Sequence, residues 1–155
     1  MNRNELVLLL ACVLSLYGAG NVWLVQLSSY KLWAFVGPQE FQAYHLAWWR
    51  SIWGVVLVPA SIVLLLSIVM LWWPPPRVPS WTVWAGLGLQ VALVLGTALY
   101  WGPLMARLGF PGLGASAVLY RQLMLTHWVR VAIVTAYGAL TVWMLVTSAW
   151  LSRPR

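Results

Sequence analysis

The chain has 155 residues, 63% of them hydrophobic and only 7% charged, with nine Lys or Arg against two Glu, no Asp, and a formal net charge of +7. Soluble globular domains carry about a quarter charged residues, and disordered segments combine low hydrophobicity with dense charge, so both classes are excluded. A basic balance suits nucleic acid only where Lys and Arg cluster on a soluble core; here they stand singly between apolar runs, as helix-end anchors do, and no nucleic-acid partner is expected.

A membrane span needs about 20 mainly apolar residues, and Glu5 to Leu27, Trp48 to Trp73, Trp81 to Trp101 and Val131 to Leu151 qualify. The reading is an all-α membrane protein, a four-transmembrane-helix antiparallel bundle forming a single domain over residues 1–155, with helices at approximately 5–27, 38–73, 81–104 and 116–152. In the first, Leu9-Leu10-Ala11-Cys12 resembles a lipoprotein cleavage box, but the apolar run continues to Gln26 and further spans follow, so a retained helix is expected. Cys12 is the lone cysteine, which excludes an intrachain disulfide. Ser28 to Gln39, carrying Lys31 and Gly37-Pro38, reads as a loop. Pro38 then suits a first helical position with Glu40 in the first turn, where the dipole favours a carboxylate.

Pro59, in the middle of the second span, predicts a kink or a freed backbone carbonyl. Pro74-Pro75-Pro76-Arg77-Val78-Pro79-Ser80 cannot continue a helix and makes a tight corner. Met105 to Ser116, with Gly109-Phe110-Pro111-Gly112, makes the next, and Ser116 suits the cap of the fourth helix. The second and fourth helices are longer than a bilayer requires and project on the same side. Ser15 and Ala19 in the first helix, and Ala132, Ala136 and Ala139 in the fourth, have the spacing of small residues at helix contacts.

Tryptophans favour membrane interfaces. Trp49 and Trp72 lie about 35 Å apart on a helix, Trp81 and Trp101 about 30 Å, Trp128 and Trp150 about 33 Å, each near the hydrocarbon thickness. One side then carries Arg3, Arg77, Arg153 and Arg155, and the other Lys31 and Arg107, with Arg50, Arg121 and Arg130 at or inside helix ends. If those three are engaged in contacts, positive charge places both termini in the cytoplasm.

Residues capable of chemistry fall on one side: Glu40, His45 and Arg50 on the second helix, Arg107, Arg121, His127 and Arg130 around the fourth. His127 and Arg130 share a helix face. A ligand- or anion-binding mouth of His45, Arg50, His127, Arg130 and Glu40 is expected, with Arg121 turned to loop or solvent. Two arginines at one mouth call for an anion between them. His45 and His127 are the metal-ligand candidates, as axial ligands of a haem, as a ligand of a chlorophyll-type pigment, or with Glu40 as a two-His, one-carboxylate set. The favoured reading has no cofactor: these groups pair with one another and with lipid phosphates, Glu40 with Arg121 or Arg107. No catalytic set is recognised, because no Gly-x-Ser-x-Gly elbow, Cys–His pair or carboxylate pair is present.

Through Leu16-Tyr17-Gly18-Ala19-Gly20-Asn21-Val22-Trp23-Leu24-Val25-Gln26, Tyr30, Val36-Gly37, Phe41 and Tyr44-His45, the chain resembles an uncharacterised family of small bacterial four-span membrane proteins. Leu125-Thr126-His127-Trp128-Val129-Arg130 is similar to that family's pattern, in which Asn usually stands at the place of His127. The group is distantly similar to anthrone-oxygenase-like four-helix proteins. The resemblance implies a four-helix membrane fold and no established reaction. The chain departs from the pattern at Lys31, where the family has Pro, and lacks its further His near Trp48 or Trp49 and near Met105. After Pro59 it reads Ala60-Ser61-Ile62-Val63-Leu64 in place of Pro-Pro-Met and an acidic residue. If the family is enzymatic, these departures remove its polar centre and favour a scaffold.

The expected function is a non-catalytic accessory subunit of a larger membrane complex, respiratory or photosynthetic, in the bacterial cytoplasmic membrane, with lipids and other integral subunits as partners. The alternative is a small membrane enzyme or binding protein for a lipophilic aromatic ligand, quinone, haem or pigment, held between the second and fourth helices. The topology predicts that, in a Cys12→Ser background, Asn2→Cys reacts with an impermeant maleimide only from the cytoplasm and Arg107→Cys only from the opposite side. Labelling of both from one face would remove a span from the first three.

Overall fold

The computed structural model describes residues 2–109 and 117–150, the side chains of Ala149 and Trp150 excepted. Four long helices, α1 (Arg3–Phe35), α2 (Phe41–Trp72), α3 (Ser80–Leu108) and α4 (Ala117–Trp150), form the bundle, and each is long and apolar enough to cross a membrane. The chain is a multi-pass, all-α membrane protein. Each helix packs beside its sequence neighbour, and α1 closes the ring against α4.

Boundaries differ from the sequence reading at one end of the bundle. α1 does not stop at Leu27 but continues to Phe35, because Tyr30 and Trp33 lie on the extension with 1% and 2% exposure and anchor it. α3 likewise continues past 104 to Leu108, whose side chain is buried with Leu104 and Met105. α2 starts at Phe41: the Gly37 carbonyl accepts from the amides of Glu40 and Phe41, so Pro38 and Glu40 form the turn before the helix. The Glu40 carboxylate folds over Gly37 into space that a Cβ would occupy. The proposed Ser116 cap and the positions after Trp150 lie outside the described residues.

The opposite end is stitched by polar groups. The Asn2 side chain accepts from the Glu5 amide while the Asn2 amide donates to Glu5 Oε2, both at 2.9 Å, closing a capping box on α1. Asn4 Nδ2 donates to the Pro74 carbonyl at 2.9 Å, and the Arg3 guanidinium lies 3.8 Å from the centre of the Trp73 ring. Both contacts tie the start of α1 to the corner after α2. In that corner Arg77 takes φ 63°, the left-handed conformation that such a tight turn requires.

Between the ends, α1 and α4 meet along a close seam. Ser15 donates to the Cys12 carbonyl, and its hydroxyl meets that of Thr141 at 2.9 Å, in buried surroundings. Gly138 faces Ser15 and Leu16, and Gly18 faces Val134. Val22 packs with Val131 and Val134, with Ala19 beside them. Ser15 and Ala19 thus belong to the packing face expected for α1. On α4, however, Ala132, Ala136 and Ala139 are exposed, and the inward stripe is His127, Val131, Val134, Tyr137, Gly138, Thr141 and Met144. The reason is physical: lipid is as apolar as a helix interior, so apolar burial does not set the rotation of α4; polar groups that need partners do, and Gly138 rather than an alanine is the small residue at the contact. Tyr137 illustrates it. Ser67 gives its proton to the Val63 carbonyl at 2.8 Å, so the Tyr137 hydroxyl donates to Ser67 Oγ at 2.6 Å.

Three of the helices carry a π-helical turn on the side away from the chain termini. Tyr30 N donates to the Val25 carbonyl, Val58 N to Trp53 and Gly102 N to Thr97, each five residues back. The second and third turns are followed by Pro59 and Pro103. Pro59 cannot donate to the Val55 carbonyl, which instead accepts from the Tyr17 hydroxyl at 3.0 Å, linking α1 to α2. Gly102 is required where it stands, since a Cβ would press on the Thr97 carbonyl oxygen at 2.8 Å.

A Cβ on Gly86 would lie 3.3 Å from the Tyr137 ring, whereas one on Gly88 would meet nothing within 4 Å. Gly86→Leu should therefore separate α3 from α4 and cost about 2 kcal/mol in reversible detergent unfolding. Gly88→Leu should cost less than about 0.5 kcal/mol.

Candidate functional site

The bundle encloses a cavity of about 280 Å³ lined by all four helices, from Leu14 to Val22 on α1, Val56 to Leu64 on α2, Gln90 to Ala98 on α3 and Arg130 to Tyr137 on α4. The wall is mainly aliphatic, with Asn21, Gln90, Arg130 and Tyr137 as its main polar residues. The π turns of α2 and α3 border it, and such turns are frequent at functional sites because the extra residue re-aims the side chains that follow. Tyr17, Ser61, Val94 and Ala98 are exposed as well as lining, so the cavity communicates with the outer surface of the bundle.

A smaller cavity of about 60 Å³ continues from it, sharing Asn21, Val22, Val56, Leu57, Thr97 and Arg130 and adding Tyr30, Trp48, Trp49, Trp101 and His127. Arg130 stands at the junction. Its guanidinium lies 4.5 Å from the centre of the Trp101 ring, and its Nε is buried with no hydrogen-bond partner. Trp101 reaches this position because Gly96 has no Cβ: its indole lies directly against the Gly96 backbone. On the turn of α4 before Arg130, Trp128 packs edge-on to Trp23, their centroids 5.5 Å apart, and Trp23 donates to the Thr135 hydroxyl. Arg130 therefore sits level with a belt of tryptophans, and the larger cavity runs from that belt toward the far end of the bundle.

His127 is 1% exposed and held by a defined relay. Gln26 Nε2 donates to the Met124 carbonyl at 3.2 Å, which turns the amide oxygen toward His127 Nδ1 at 2.8 Å. His127 accordingly donates from Nδ1, and Nε2 is its acceptor nitrogen. Its ring lies edge-on to Tyr30 at 4.9 Å, Tyr30 to Trp33 at 4.8 Å, and Trp33 to His45 at 5.4 Å. His45 is boxed by Phe41, Trp33 and Trp48 and covered by Gly109, and its Nε2 has no hydrogen-bond partner.

Of the residues singled out in the sequence, the structure brings His127 and Arg130 to one cavity. His45, Arg50 and Glu40 are outside the lining of both cavities, Arg50 and Glu40 being exposed, as is Arg121. The two imidazoles are separated by Tyr30 and Trp33, so in this arrangement they do not present two ligands to one haem iron. Among the described residues no three His, Cys, Asp or Glu side chains gather into a metal-binding group. Arg130 does not end a helix but lies well inside α4, facing the bundle interior. The sequence reading gave Asn21, Gln26 and Tyr30 a place only in a resemblance and Trp101 only in an interfacial belt, and assigned none of them to the site. Asn21 and Gln26 carried a usable signal, as polar residues inside an otherwise apolar span are costly unless they serve an interior contact.

The chain matches no family model, no curated protein and no solved structure. Its functional reading rests on this geometry.

Gln26→Leu removes the acceptor of a buried imidazole N–H. It should destabilise the bundle by about 1–3 kcal/mol in reversible detergent unfolding, with Gln26→Glu closer to wild type because it keeps an acceptor for Nδ1.

Proposed function

We propose that the protein binds a lipophilic small molecule within the membrane, in the cavity enclosed by its four helices. The observation that carries this reading is the cavity itself: about 280 Å³, bounded by every helix, aliphatic along most of its wall and with a cation in its lining where the smaller cavity joins it. Small-molecule sites are concave, mostly apolar and fitted with a few polar groups that fix orientation. An ionisable residue facing a membrane bundle interior marks a site by default, because its burial is costly unless used. The lining residues exposed on the outer face provide an entrance from the lipid, which suits a ligand that partitions into the bilayer.

A role as accessory subunit draws support from the apolar outer faces, for example Trp53 and Trp84 at 54% and 63% exposure, but contact with lipid accounts for these equally. The cavity favours the binding role. In this reading the protein is a multi-pass protein of a bacterial cytoplasmic membrane; with Arg50 and Arg121 exposed, positive charge is balanced between its two sides and does not set the orientation.

The test is extraction in native lipid particles followed by mass spectrometry and an optical spectrum. The wild-type protein should retain a lipophilic molecule, and Ala60→Phe, which fills the cavity from α2, should lower its occupancy at least about tenfold. Equal occupancy in both would sink the cavity as the binding site, and a visible absorption band would show a haem or pigment as the occupant.

A further inference from the structure

The class of ligand follows from an imbalance between donors and acceptors, an inference that rests on the binding role just proposed. Asn21 Nδ2, Trp101 Nε1 and Arg130 Nε are buried N–H groups with no hydrogen-bond partner. All three residues line the smaller cavity, and Asn21 and Arg130 line the larger one as well. Orphaned buried donors are rare, each costing about 1–3 kcal/mol and more when charged. Three residues with unpartnered N–H groups line one small cavity, a lining short of acceptors for its donors.

His127, with Nε2 as its neutral acceptor, lines the smaller cavity, but no carboxylate of the described residues reaches it. The side-chain carboxylates of the chain number two. Glu5 is committed to the capping box with Asn2, about 24 Å along α1 from Asn21. Glu40 is exposed in the turn before α2. The Trp101 ring face offers Arg130 partial compensation, since a cation–π contact is worth about 0.5–2 kcal/mol, but it neither neutralises the charge nor accepts from Nε. Among the described residues, therefore, Arg130 has no counter-ion, and a bound group is left to supply one.

We infer that the occupant is an amphiphile with an anionic oxygen head, a carboxylate in the simplest case, whose head meets Arg130, Asn21 and Trp101 while its tail fills the aliphatic cavity. The polarity of the site fits this molecule in one direction only. The head lies level with Trp23, Trp101 and Trp128, and the tail runs toward the other end of the bundle, as it would for a lipid standing in one leaflet. From Arg130 to Tyr137 on α4, and from Val56 to Leu64 on α2, the cavity extends about 10–12 Å along the bundle axis. That is the reach of a medium-length acyl chain. Arg130 is the residue suited to this task, since its planar fork takes a carboxylate through two parallel hydrogen bonds.

The test uses the full chain in phosphatidylcholine nanodiscs with decanoate bearing a diazirine at its tail, and with the methyl ester of the same molecule. The acid should cross-link to the aliphatic wall, at positions such as Leu64 and Leu93, and unlabelled decanoate should compete. Arg130→Gln should lower labelling by the acid about tenfold or more and leave labelling by the ester within about twofold. Asn21→Leu, which keeps the charge, should weaken the acid by a smaller factor in the same direction. If Arg130→Gln does not fold, as judged from its tryptophan near-ultraviolet signal, Asn21→Leu and the pH dependence of wild-type labelling decide: the acid should bind in its ionised form. Cavity labelling by acid and ester alike, unchanged by either substitution, would overturn the anionic head while leaving the binding role standing. Labelling confined to outward residues such as Leu65 and Val91 would overturn both.

Discussion

In a hydrocarbon environment a polar group has no water to fall back on, and that constraint orders this bundle. Hydrophobicity does not distinguish the inside of such a protein from the outside, because the lipid is as apolar as any helix face. What chooses the inward face is the search of each hydroxyl, amide and imidazole for a partner. Ser15 meets Thr141, Tyr137 meets Ser67, and Gln26 joins His127 to the Met124 carbonyl. These links lie at different heights and pin α4 to α1 and to α2. Leu65, Leu99 and Trp84, equally apolar but without such ties, face outward.

The same constraint explains what was legible in the sequence. Four apolar runs separated by proline corners define four spans, because the cost of a broken backbone in lipid leaves few alternatives. The corners at Val36–Glu40 and at Pro74–Pro79 stand where proline and glycine put them. Helix ends were harder to read. Ser28, Ser29 and Lys31 look like loop, yet α1 passes through them on a π turn, since Tyr30 and Trp33 gain more by burial than the polar residues lose by sitting on a helix. Rotation about the helix axis was hardest of all. The small-residue spacing on α4 pointed to Ala132, Ala136 and Ala139, and only the partners of Tyr137 and Thr141 on other helices reveal that the opposite face is buried.

The candidate site was half legible for a related reason. His127 and Arg130 could be placed on one face by their three-residue spacing, and they share a cavity. Their partners could not be found by spacing, because Asn21, Gln26 and Trp101 belong to other helices. Trp101 also depends on two backbone features: the π turn that ends at this residue and the bare Cα of Gly96 against which its ring lies. A tryptophan that composition assigns to an interfacial belt is in fact 5% exposed and serves as a shelf for a buried cation.

The charge balance links this local arrangement to the whole chain. With nine basic residues and two acidic ones, most cations here have to find partners outside the polypeptide. For Arg50, Arg107 and Arg121, which are exposed, water or lipid phosphate meets that need at little cost. Arg130 is different, because it faces the bundle interior from well inside α4, where a charge without a counter-ion is costly to bury. A chain under selection for stability alone would do better with Leu or Met at that point. The retained cost, together with unpartnered N–H groups on Asn21 and Trp101 and an aliphatic cavity leading away from them, is coherent if the bundle is completed by a molecule that carries its own negative charge. On that view the shortage of carboxylates is part of the site: an internal Asp or Glu beside Arg130 would close the junction to any ligand.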